Sequence, residues 1–371
     1  MIKFHEPYKS EKLQQNLNYL YEKNTFGSTF FRDSCTEILK DKFGYSNFLL
    51  TNSATSALEL SAMLLKDYGY KKVKMPSYTF SSTANAFIRS GYELEFLDIE
   101  IDNLMVNVDK LEKLNDNEIF AFVHYAGSSI DFDKIFKKLG KDVKFIEDAA
   151  QAFGVKYNNV NTGQFGLTGC ISFHPTKNIH AGFGGMAIIN NNLDFDKAKY
   201  IYERGTDRSK VISGLKNKYE WVELGSSFEI TEASCAILES QLLDYEIIYQ
   251  KRKEIFYEYA NGLKNLISDK KIKIQKQLDN VAHNYHAFYI IVDKDRDRIL
   301  EYLGDNGIQA YIGYVPLHSS SFAINNQLNQ VLEDTDYVSE RVIRLPIHTN
   351  LSIEDIKYVC KKLNDFYYKN R

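Results

Sequence analysis

The sequence predicts an α/β protein, with a large domain built on a mainly parallel sheet over residues 1–250 and a small α+β domain over residues 251–371. From Ser53 to about Asp194, helical segments alternate with short β-rich segments, which is the pattern of a sheet built from crossover units. Beyond residue 229 comes a long Pro-free segment rich in helix formers, and we expect it to link the two domains.

The elements of the large domain follow in order. The segment SATSALELSAMLLKDYG carries apolar residues at helical spacing and opens with Ser and Thr, so it predicts a helix with a polar amino terminus. The apolar runs in VKMPSYTF, ELEFLDI, IFAFVHYAG and VKFIEDAA each end in polar residues and predict strands. Functional groups of such sheets lie at the carboxyl ends of strands, which is where Asp98, His124 and Asp148 fall.

The remaining segments complete the prediction. The glycine-rich AGFGGMAIIN lacks the GxxxxGK[ST] and GxGxxG spacings of nucleotide loops, so we expect a turn into the strand MAIIN. The segment ITEASCAILESQLLDYEIIYQKRKEIFYEYANGL predicts a long helix with one break. In the small domain, HAFYIIV predicts a strand, while RDRILEYLGDNG and SIEDIKYVCKKLNDFYYKN predict helices.

Composition narrows the class of protein. With 371 residues, 44% of them hydrophobic, the chain can bury a sizeable core, which excludes a disordered or fibrous protein. The formal net charge of -3 gives no general attraction to nucleic acid or to a membrane surface, so any phosphate must be held locally. The start MIKFHEPYKSEKL has no apolar signal core, and no run is long enough to span a bilayer. We therefore expect a cytoplasmic protein that binds neither nucleic acid nor membrane.

Cysteine and histidine spacing gives no metal motif. The four cysteines form no CxxC pair, and the eight histidines show no HExxH spacing. His283 and His286 alone do not make a full ligand set. We expect buried free thiols and no metal site.

The first chemical candidate is Lys177, in SFHPTKN. It follows the strand-like ISF and precedes the glycine-rich turn. A lysine in an apolar strand-to-loop passage suits Schiff-base chemistry, because burial lowers the pKa of the amine and frees it as a nucleophile. Alone, such a lysine is more often an ordinary loop residue, so the assignment depends on its partners.

The partner motif is IEDAAQ, in which Asp148 closes a strand and Gln151 lies three residues on. Pyridoxal 5′-phosphate (PLP) needs a carboxylate at its pyridine nitrogen, because the protonated ring is the electron sink of its chemistry. Asp148 suits that task, and Gln151 suits a hydrogen bond to the cofactor's 3-hydroxyl or a place near the Schiff base. The alternative for Asp148 is an ordinary helix cap at a strand end.

Two further segments complete a candidate PLP site. In TNSATSAL, Thr55 and Ser56 offer hydroxyl and N–H groups to an anion at the positive end of a helix, a natural seat for the PLP phosphate. In MPSYTFSST, Phe80 lies at a strand end, where it can stack on a flat ring. The alternatives are a simple helix cap and ordinary core packing.

Together these motifs resemble the DegT/DnrJ/EryC1/StrS sugar aminotransferases, which share PLP fold type I with aspartate aminotransferase. The resemblance runs over most of the chain, with four separated motifs in the same order. In that family the motif written here SFHPTKN carries the Schiff-base lysine, which implies Lys177, and its serine, matching Ser172, helps to bind the cofactor phosphate. The family's EDAAQ supplies the pyridinium carboxylate and a glutamine beside the cofactor, matching Asp148 and Gln151.

The resemblance extends to a branch of the family. The helix-opening Ser-(Gly/Ala)-Thr matches Ser53, Ala54 and Thr55, and the stacking aromatic matches Phe80. MPSYTFSSTANAF, HYAG, ERGTDRS, KYEWVELGSS and YVPLHSS resemble the branch that aminates C4 of dTDP-4-oxo-6-deoxy-D-glucose. This implies a dTDP-4-amino-4,6-dideoxyhexose product for surface polysaccharide such as O-antigen, with L-glutamate as donor and the configuration at C4, gluco or galacto, left open.

The chain departs from the wider family at three positions. Many members have Gly-Tyr-Asn-Tyr-Arg where this chain reads GSSFE, so Ser227 replaces an asparagine that reaches the partner subunit's PLP phosphate, and Glu229 replaces the arginine. The resemblance implies a homodimer with shared active sites, with Ser227 among the cofactor-binding residues. Gly313 stands where a histidine is usual before YVPLH.

A basic loop with aromatic residues is the candidate substrate site. It can clamp a diphosphate and cover a thymine ring, although a solvated charged loop is nearly as good an interpretation of each residue alone. His318 and His286 are further candidates, for which a structural role is the default. The loop residues are Arg204, Arg208, Lys210, Lys216, Lys218, Tyr219 and Trp221.

Three alternatives to the expected function stay open. A PLP-dependent sugar dehydratase is disfavoured, because that branch has histidine in place of the Schiff-base lysine. A regulatory protein that binds PLP or sugar without catalysis is suggested by Glu229 and Gly313. An aminotransferase for a 3-oxo nucleotide sugar is the third.

Overall fold

The computed structural model describes residues 1–190 and 193–369. Its strands are β1 (Phe48–Thr51), β2 (Lys72–Pro76), β3 (Glu93–Leu97), β4 (Glu118–Val123), β5 (Phe145–Asp148), β6 (Lys156–Tyr157), β7 (Val160–Asn161), β8 (Thr168–Ser172), β9 (Gly185–Ile189), β10 (Ile272–Ile274), β11 (Val281–Ala282), β12 (Phe288–Val292) and β13 (Val342–Leu345).

Helices alternate with these strands. They are α1 (Lys12–Glu22), α2 (Phe30–Asp41), α3 (Ala54–Lys66), α4 (Ser81–Arg89), α5 (Phe132–Leu139), α6 (Phe195–Tyr202), α7 (Arg208–Ile212), α8 (Glu232–Leu243), α9 (Tyr245–Gly262), α10 (Lys264–Ser268), α11 (Arg296–Asp305), α12 (Ser321–Asn325), α13 (Glu333–Ser339) and α14 (Ile353–Tyr368). Short 3₁₀ turns cover Val108–Lys110 and Leu317–Ser319.

The central sheet has the strand order β1-β9-β8-β5-β4-β2-β3. Strands β3, β2, β4, β5 and β8 run parallel to one another, whereas β9 is antiparallel to both β8 and β1. Helices α3, α4 and α5 lie in the connections between successive strands, as crossover units require. The predicted mainly parallel sheet is confirmed.

Helices cover both faces of this sheet. Every residue of β4 is buried, with Phe120 and Phe122 in the core shared with α2, α5 and α8, and Ile119 and Ala121 in the core shared with α3, α4 and α6. A strand covered on two faces reads as a continuous apolar run, which is why IFAFV shows no alternation with polar residues. Because both faces are apolar and covered, polar groups that serve a site are expected at the carboxyl ends of the strands.

The long helix predicted after residue 229 does break once. Helix α8 ends at Leu243, and Asp244 separates it from α9. The Asp244 carboxylate accepts a hydrogen bond from the Ser10 hydroxyl at 2.6 Å and pairs with Lys12, so the break is tied to the amino-terminal segment. The break therefore lies where a buried carboxylate anchors the first residues of the chain.

The small domain has a three-stranded antiparallel sheet, β10-β12-β13, packed against α9, α11 and α14. Residue 250 lies within α9, so the predicted domain boundary crosses a continuous helix. Tyr245, at the start of α9, packs on Phe43 of the large domain, whereas Phe256 and Tyr259 belong to the small-domain core. The division at residue 250 stays a prediction.

Two further observations concern the cysteines and the helices. The four cysteines are buried and free, as predicted. Within residues 1–190 and 193–369, no helix combines the length and the apolar character needed to cross a lipid bilayer.

Candidate active site

A cavity of about 560 Å³ opens at the carboxyl ends of the parallel strands. The side chains that follow β2, β4, β5 and β8 converge there, together with the start of α3 and residues of the small domain. Its walls include Phe4, His5, Ser53, Ala54, Thr55, Thr79, Phe80, Ser82, His124, Asp148, Gln151, Ser172, His174, Lys177, Phe183, His286, Tyr314, Arg344 and Ile347.

Lys177 lies on a turn directly after β8. Its N–H donates to the carbonyl of His174 at 2.9 Å, which closes the turn. The same turn is held from outside, because a ring nitrogen of His5 donates to the carbonyl of Pro175 at 2.7 Å and the Asn178 amide donates to a carbonyl beyond β11 at 2.7 Å. The amino terminus and the small domain thus fix the position of the Lys177 backbone.

Burial lowers the pKa of the Lys177 amine to about 8. Nearby Asp148 opposes this shift, and the positive charge of Arg344 reinforces it. At neutral pH a useful fraction of the amine is uncharged, as nucleophilic attack on a carbonyl requires. Lys177 therefore has both the location and the acid–base property expected of a Schiff-base lysine.

Asp148 ends β5 and is 5% exposed. One carboxylate oxygen accepts a 2.6 Å hydrogen bond from the hydroxyl of Thr83 on α4, and the other accepts from the N–H of Ala150 at 3.1 Å. These bonds orient the carboxylate while leaving lone pairs for a ligand in the cavity. An oriented buried carboxylate is the group needed to hold a proton on a heterocyclic nitrogen.

The side chain of Gln151 is held by hydrogen bonds at both its oxygen and its nitrogen. Its Oε1 accepts from the N–H of Ala126 at 2.8 Å, and its Nε2 donates to the Tyr314 hydroxyl at 2.8 Å. The side chain bridges the large domain and the segment that leads to the small-domain strand β13. Gln151 also lines the cavity, so the side chain that makes these two hydrogen bonds is itself part of the candidate site.

The amino terminus of α3 points to the same cavity. Ser53 caps the helix, with its hydroxyl accepting from the N–H of Ser56 at 3.1 Å. The Thr55 hydroxyl lies 2.8 Å from that of Ser82, and Ser172 is buried at the end of β8. The Ser56 hydroxyl is bonded to Asn52 at 2.5 Å and does not line the cavity, so Ser53 and Thr55 present the polar surface there.

Phe80 lies at the amino-terminal end of α4 with 59% of its surface exposed. Its ring is 6.2 Å from that of Tyr314, and both rings line the cavity. An apolar ring left this exposed beside a cavity offers its face to a flat ligand.

The predicted substrate residues lie elsewhere in the same chain. None of the residues Arg204, Arg208, Lys218, Tyr219, Trp221, His318 and Ser227 lines the cavity with Lys177. His318 is buried between the Ser77 hydroxyl at 2.6 Å and the carboxylate of Asp336 at 3.0 Å, which is a structural role. The other six are exposed on residues 204–227.

The departures from the family pattern have local structural reasons. Glu229 pairs with Arg204 at 2.6 Å and with Arg32 at 3.5 Å, so it ties the start of the basic loop to α2. A Cβ atom on Gly313 would lie 1.7 Å from the Tyr78 hydroxyl oxygen, so that hydroxyl occupies the space of a side chain at residue 313. Both positions are structurally accounted for within this chain.

Four cavity or support residues had no clear signal in the sequence. Thr83 reads as an ordinary helix residue, and Tyr314 and Arg344 as parts of short apolar segments. His286 was considered only as a possible sugar or phosphate contact. Burial lowers its pKa well below the ordinary value for histidine, and Nδ1 bonds to the Asn178 side chain at 3.0 Å. These residues come to the cavity through packing, which no local pattern records.

The fold and the cavity are those of an α/β protein with a buried lysine and an oriented carboxylate at the carboxyl edge of its sheet. A model of the DegT/DnrJ/EryC1/StrS aminotransferase family matches residues 7–364, and the chain belongs to this family. Solved structures agree. Helicobacter pylori PseC, described as an aminotransferase involved in the biosynthesis of pseudoaminic acid, superposes with a TM-score of 0.85 at 25% identity, covering 98% of each chain.

Curated relatives add three comparisons. The UDP-4-amino-4,6-dideoxy-N-acetyl-beta-L-altrosamine transaminase of Campylobacter jejuni serotype O:2 is 29% identical over 87% of this chain and 86% of that protein. GDP-perosamine synthase of Escherichia coli O157:H7 is 25% identical over 88% and 89%. A pleiotropic regulatory protein of Geobacillus stearothermophilus is 30% identical over 78% and 77%. The protein is a PLP-dependent sugar aminotransferase of fold type I.

The residues of the cavity fit PLP. Lys177 suits its aldehyde, Asp148 its ring nitrogen, and the start of α3 with Ser172 its phosphate. The N–H groups of Ala54 and Thr55 donate to no other group in the described parts of the chain, which leaves them for an anion. When bound, PLP supplies the electron sink that allows an amino group to be exchanged between an amino acid and a ketone.

Proposed function

We propose that the protein transfers the amino group of L-glutamate to C4 of dTDP-4-oxo-6-deoxy-D-glucose, giving 2-oxoglutarate and a dTDP-4-amino-4,6-dideoxyhexose. The observation that carries the proposal is the convergence of Lys177, Asp148 and the amino terminus of α3 on one cavity. The two relatives named for a UDP-linked and a GDP-linked sugar support a nucleotide-sugar substrate. The dTDP group and the choice of C4 rest on the motif resemblance.

In this proposal each residue has a defined task. Lys177 would hold the cofactor through its Nζ in the resting enzyme and, once released, would move a proton at the donor's α carbon. Asp148 keeps the proton on the pyridine nitrogen, and the start of α3 with Ser172 binds the phosphate. Phe80 and Gln151 orient the ring. A lowered pKa for Lys177 fits its task, because a proton carrier works best when its pKa is near the working pH.

We also propose that the active form is a cytoplasmic homodimer with shared active sites. The basic loop exposes large apolar side chains in the single chain, including Leu215 at 76% and Trp221 at 79%. Large apolar side chains exposed in one segment are typical of a surface that a partner or ligand covers. A second copy that brings Arg208, Lys218 and Tyr219 to this cavity would explain why these residues lie away from their own.

The substrate is tested by giving the protein L-glutamate with the 4-oxo and the 3-oxo dTDP sugars separately, and with the UDP-linked 4-oxo sugar as a nucleotide control. Mass spectrometry and NMR coupling constants of the product then identify the aminated carbon and its configuration. Amination of the 3-oxo sugar alone would contradict the C4 assignment. Turnover of the UDP sugar in preference to the dTDP sugar would contradict the nucleotide assignment.

The regulatory alternative is suggested by the Geobacillus relative. It is tested by measuring whether the bound cofactor reacts with glutamate. Glutamate is expected to bleach the absorbance of the bound cofactor, and Lys177→Ala is expected to remove turnover while the protein remains folded. Wild-type turnover in Lys177→Ala would contradict the assigned role. A cofactor that glutamate leaves unchanged would favour the regulatory function.

A further inference from the structure

His286 lies in the wall of the Lys177 cavity and is 5% exposed. The residue before it, Tyr285, has a φ of +56°, in the left-handed region that bulky side chains rarely adopt. The buried guanidinium of Arg252 on α9 donates hydrogen bonds to the carbonyls of both Tyr285 and His286. Backbone strain of this kind persists only where the surrounding structure enforces it, so the position of the His286 ring is a built feature of the cavity.

The carbonyl of Asn284, two residues earlier, is fixed as well. The N–H of Asn284 donates to the Gly127 carbonyl at 3.1 Å. Its side-chain nitrogen donates to the carbonyls of Gln151 and Phe153, each at 3.0 Å. The Asn284 carbonyl therefore has a defined place, and it accepts a 2.7 Å hydrogen bond from the side-chain nitrogen of Asn178.

These contacts determine which ring nitrogen of His286 carries the proton. A carbonyl oxygen only accepts hydrogen bonds, so the Asn178 atom that faces the Asn284 carbonyl is the amide nitrogen, and Oδ1 is the atom that faces His286. Oδ1 also only accepts, so Nδ1 of His286, 3.0 Å away, is the donor. In a neutral imidazole the other nitrogen, Nε2, is then without a proton.

The imidazole of His286 is neutral at physiological pH. Burial lowers its pKa well below the ordinary value for histidine. The positive charges of Lys177, Arg252 and Arg344 lower the pKa further, as does the neighbouring ring of His5. Within residues 1–190 and 193–369, Nε2 forms no hydrogen bond, so its lone pair is left for a ligand in the cavity.

An unprotonated ring nitrogen binds hydrogen-bond donors and disfavours anions. The diphosphate of the nucleotide sugar and the carboxylates of glutamate only accept hydrogen bonds, so neither group suits Nε2. The thymine N–H is separated from C4 of the sugar by the diphosphate and the sugar ring. The charge of Lys177 acts on the His286 ring, so the ring lies close to the reacting groups. The donor group that a substrate brings nearest to its reacting carbon is a sugar hydroxyl.

We propose that Nε2 of His286 accepts a hydrogen bond from the hydroxyl next to the keto carbon of the sugar, with Asn178 holding the ring in the form that can accept. In a 4-oxo-6-deoxy sugar that hydroxyl is the one at C3, because C5 carries the ring oxygen and the methyl group. The inference rests on the proposed function, since it requires a hydroxy ketone as substrate. It makes His286 a specificity residue for the sugar and Asn178 a positioning residue that acts through it.

The first test needs no catalysis. In cofactor-free protein with isotope-labelled histidine, the NMR shifts of the ring nitrogens distinguish protonated from unprotonated nitrogen, and His286→Gln identifies the His286 signals. Wild type is expected to show a protonated Nδ1 and an unprotonated Nε2 at neutral pH. Asn178→Asp places a carboxylate opposite Nδ1 and should raise the pKa of the ring, because the carboxylate stabilises the imidazolium. A protonated Nε2 in wild type at neutral pH would overturn the proposal.

The second test compares dTDP-4-oxo-6-deoxy-D-glucose with its 3-deoxy analogue in the sugar half-reaction of the amine-loaded enzyme. Wild type should react with the analogue more slowly by about 10- to 100-fold, because the missing hydroxyl leaves Nε2 without a partner. His286→Leu should lose this preference, and His286→Gln should keep part of it, because the glutamine side-chain oxygen can accept. The half-reaction with L-glutamate should change by a smaller factor in His286→Leu than the half-reaction with the 3-hydroxy sugar.

His283→Gln is the matched control for this comparison. His283 is buried with a lowered pKa, three residues before His286, but it does not line the cavity with Lys177, so the variant should keep the wild-type preference. The same preference in wild type and His286→Leu would overturn the proposal, as would a loss confined to the glutamate half-reaction. If wild type aminates neither sugar while NMR shows an unprotonated Nε2, the proposed function and the sugar contact both fail, and the assigned form of the ring stands.

Discussion

At Lys177, burial and two opposite charges act on a single amine. Its pKa of about 8 in the folded protein lies below the ordinary value of 10.5, and burial is the largest cause. Between these pH values the unfolded chain binds a proton that the folded chain does not. The contribution of Lys177 to stability is therefore unfavourable below pH 8 and becomes less unfavourable as the pH rises towards 10.5.

This predicts the behaviour of Lys177→Met in the cofactor-free protein. At pH 7 the variant should be more stable than wild type by about 1 to 3 kcal/mol, because a buried amine no longer has to be charged. The difference should shrink as urea unfolding is repeated at pH 8, 9 and 10. Lys40→Met, at an exposed position of α2, is the control and should show no such trend. A difference that is the same at each pH would contradict the shift.

Asp148 allows a second test at this scale. Replacing it with Ala should lower kcat by about 10²- to 10⁴-fold while part of the cofactor stays bound, because the phosphate seat is formed by other residues. Thr83→Val keeps the carboxylate and removes the 2.6 Å hydrogen bond that orients it, together with a 3.3 Å contact to the Thr79 hydroxyl, so its effect should be smaller. Steady-state kinetics and cofactor content measure both. An unchanged rate in Asp148→Ala would show that another group holds the ring proton.

At the scale of elements, the contact between β9 and the start of α3 shapes the proposed phosphate seat. A Cβ atom on Gly185 would lie 2.4 Å from the carbonyl carbon of Ser53 and 2.5 Å from the nitrogen of Ala54. These are backbone atoms, which cannot turn aside as a side chain would. The glycine therefore permits β9 to approach the amino terminus of the helix, beyond its role in the turn expected from the sequence.

We accordingly predict that Gly185→Ala displaces the start of α3. It should destabilise the protein by about 1 to 3 kcal/mol and weaken competition by inorganic phosphate for the PLP site. Gly304→Ala is the control, since nothing lies within 4 Å of a Cβ at that position in α11. That change should stabilise the helix by about 0.5 to 1 kcal/mol. Thermal unfolding and phosphate titration separate the two, and an unperturbed phosphate affinity in Gly185→Ala would show that the seat lies elsewhere.

At the scale of the whole molecule, the exposed basic loop bears on how subunits assemble. The exposed side chains of the basic loop predict that the protein sediments as a dimer and that Leu215→Asp shifts it to monomer. Val160→Asp, on the exposed hairpin of β6 and β7, is the control and should leave the dimer intact.

Active sites shared between two subunits can be detected by mixing two impaired variants. If the loop of one subunit serves the cavity of the other, Trp221→Ala and Lys177→Ala should each be impaired alone, and refolding them together should restore activity through hybrid dimers. A wild-type monomer that stays fully active on dilution would contradict the shared site.

The chemistry near the cavity was predictable where residues adjoin a strand end. Asp148, Ser172 and Lys177 could be identified because a parallel sheet collects the carboxyl ends of its strands at one edge, whatever the details of packing. Thr83 and Arg344 could not, because each reaches the site from an element whose local pattern is ordinary. Trp221 and its neighbours were assigned to the substrate by composition, and the fold of one chain leaves them outside the cavity.

By itself, the sequence determined the alternation of helices and strands, the buried parallel strands, the break after α8 and the lysine and aspartate that line the cavity. These features depend on residues close together in the chain, whose spacing is readable before folding. Only the tertiary structure decided that Gly185 presses on α3, that Tyr78 fills the space beside Gly313 and that Arg344 lines the same cavity as Lys177. Those contacts join residues more than a hundred positions apart, and distances of that kind follow from packing.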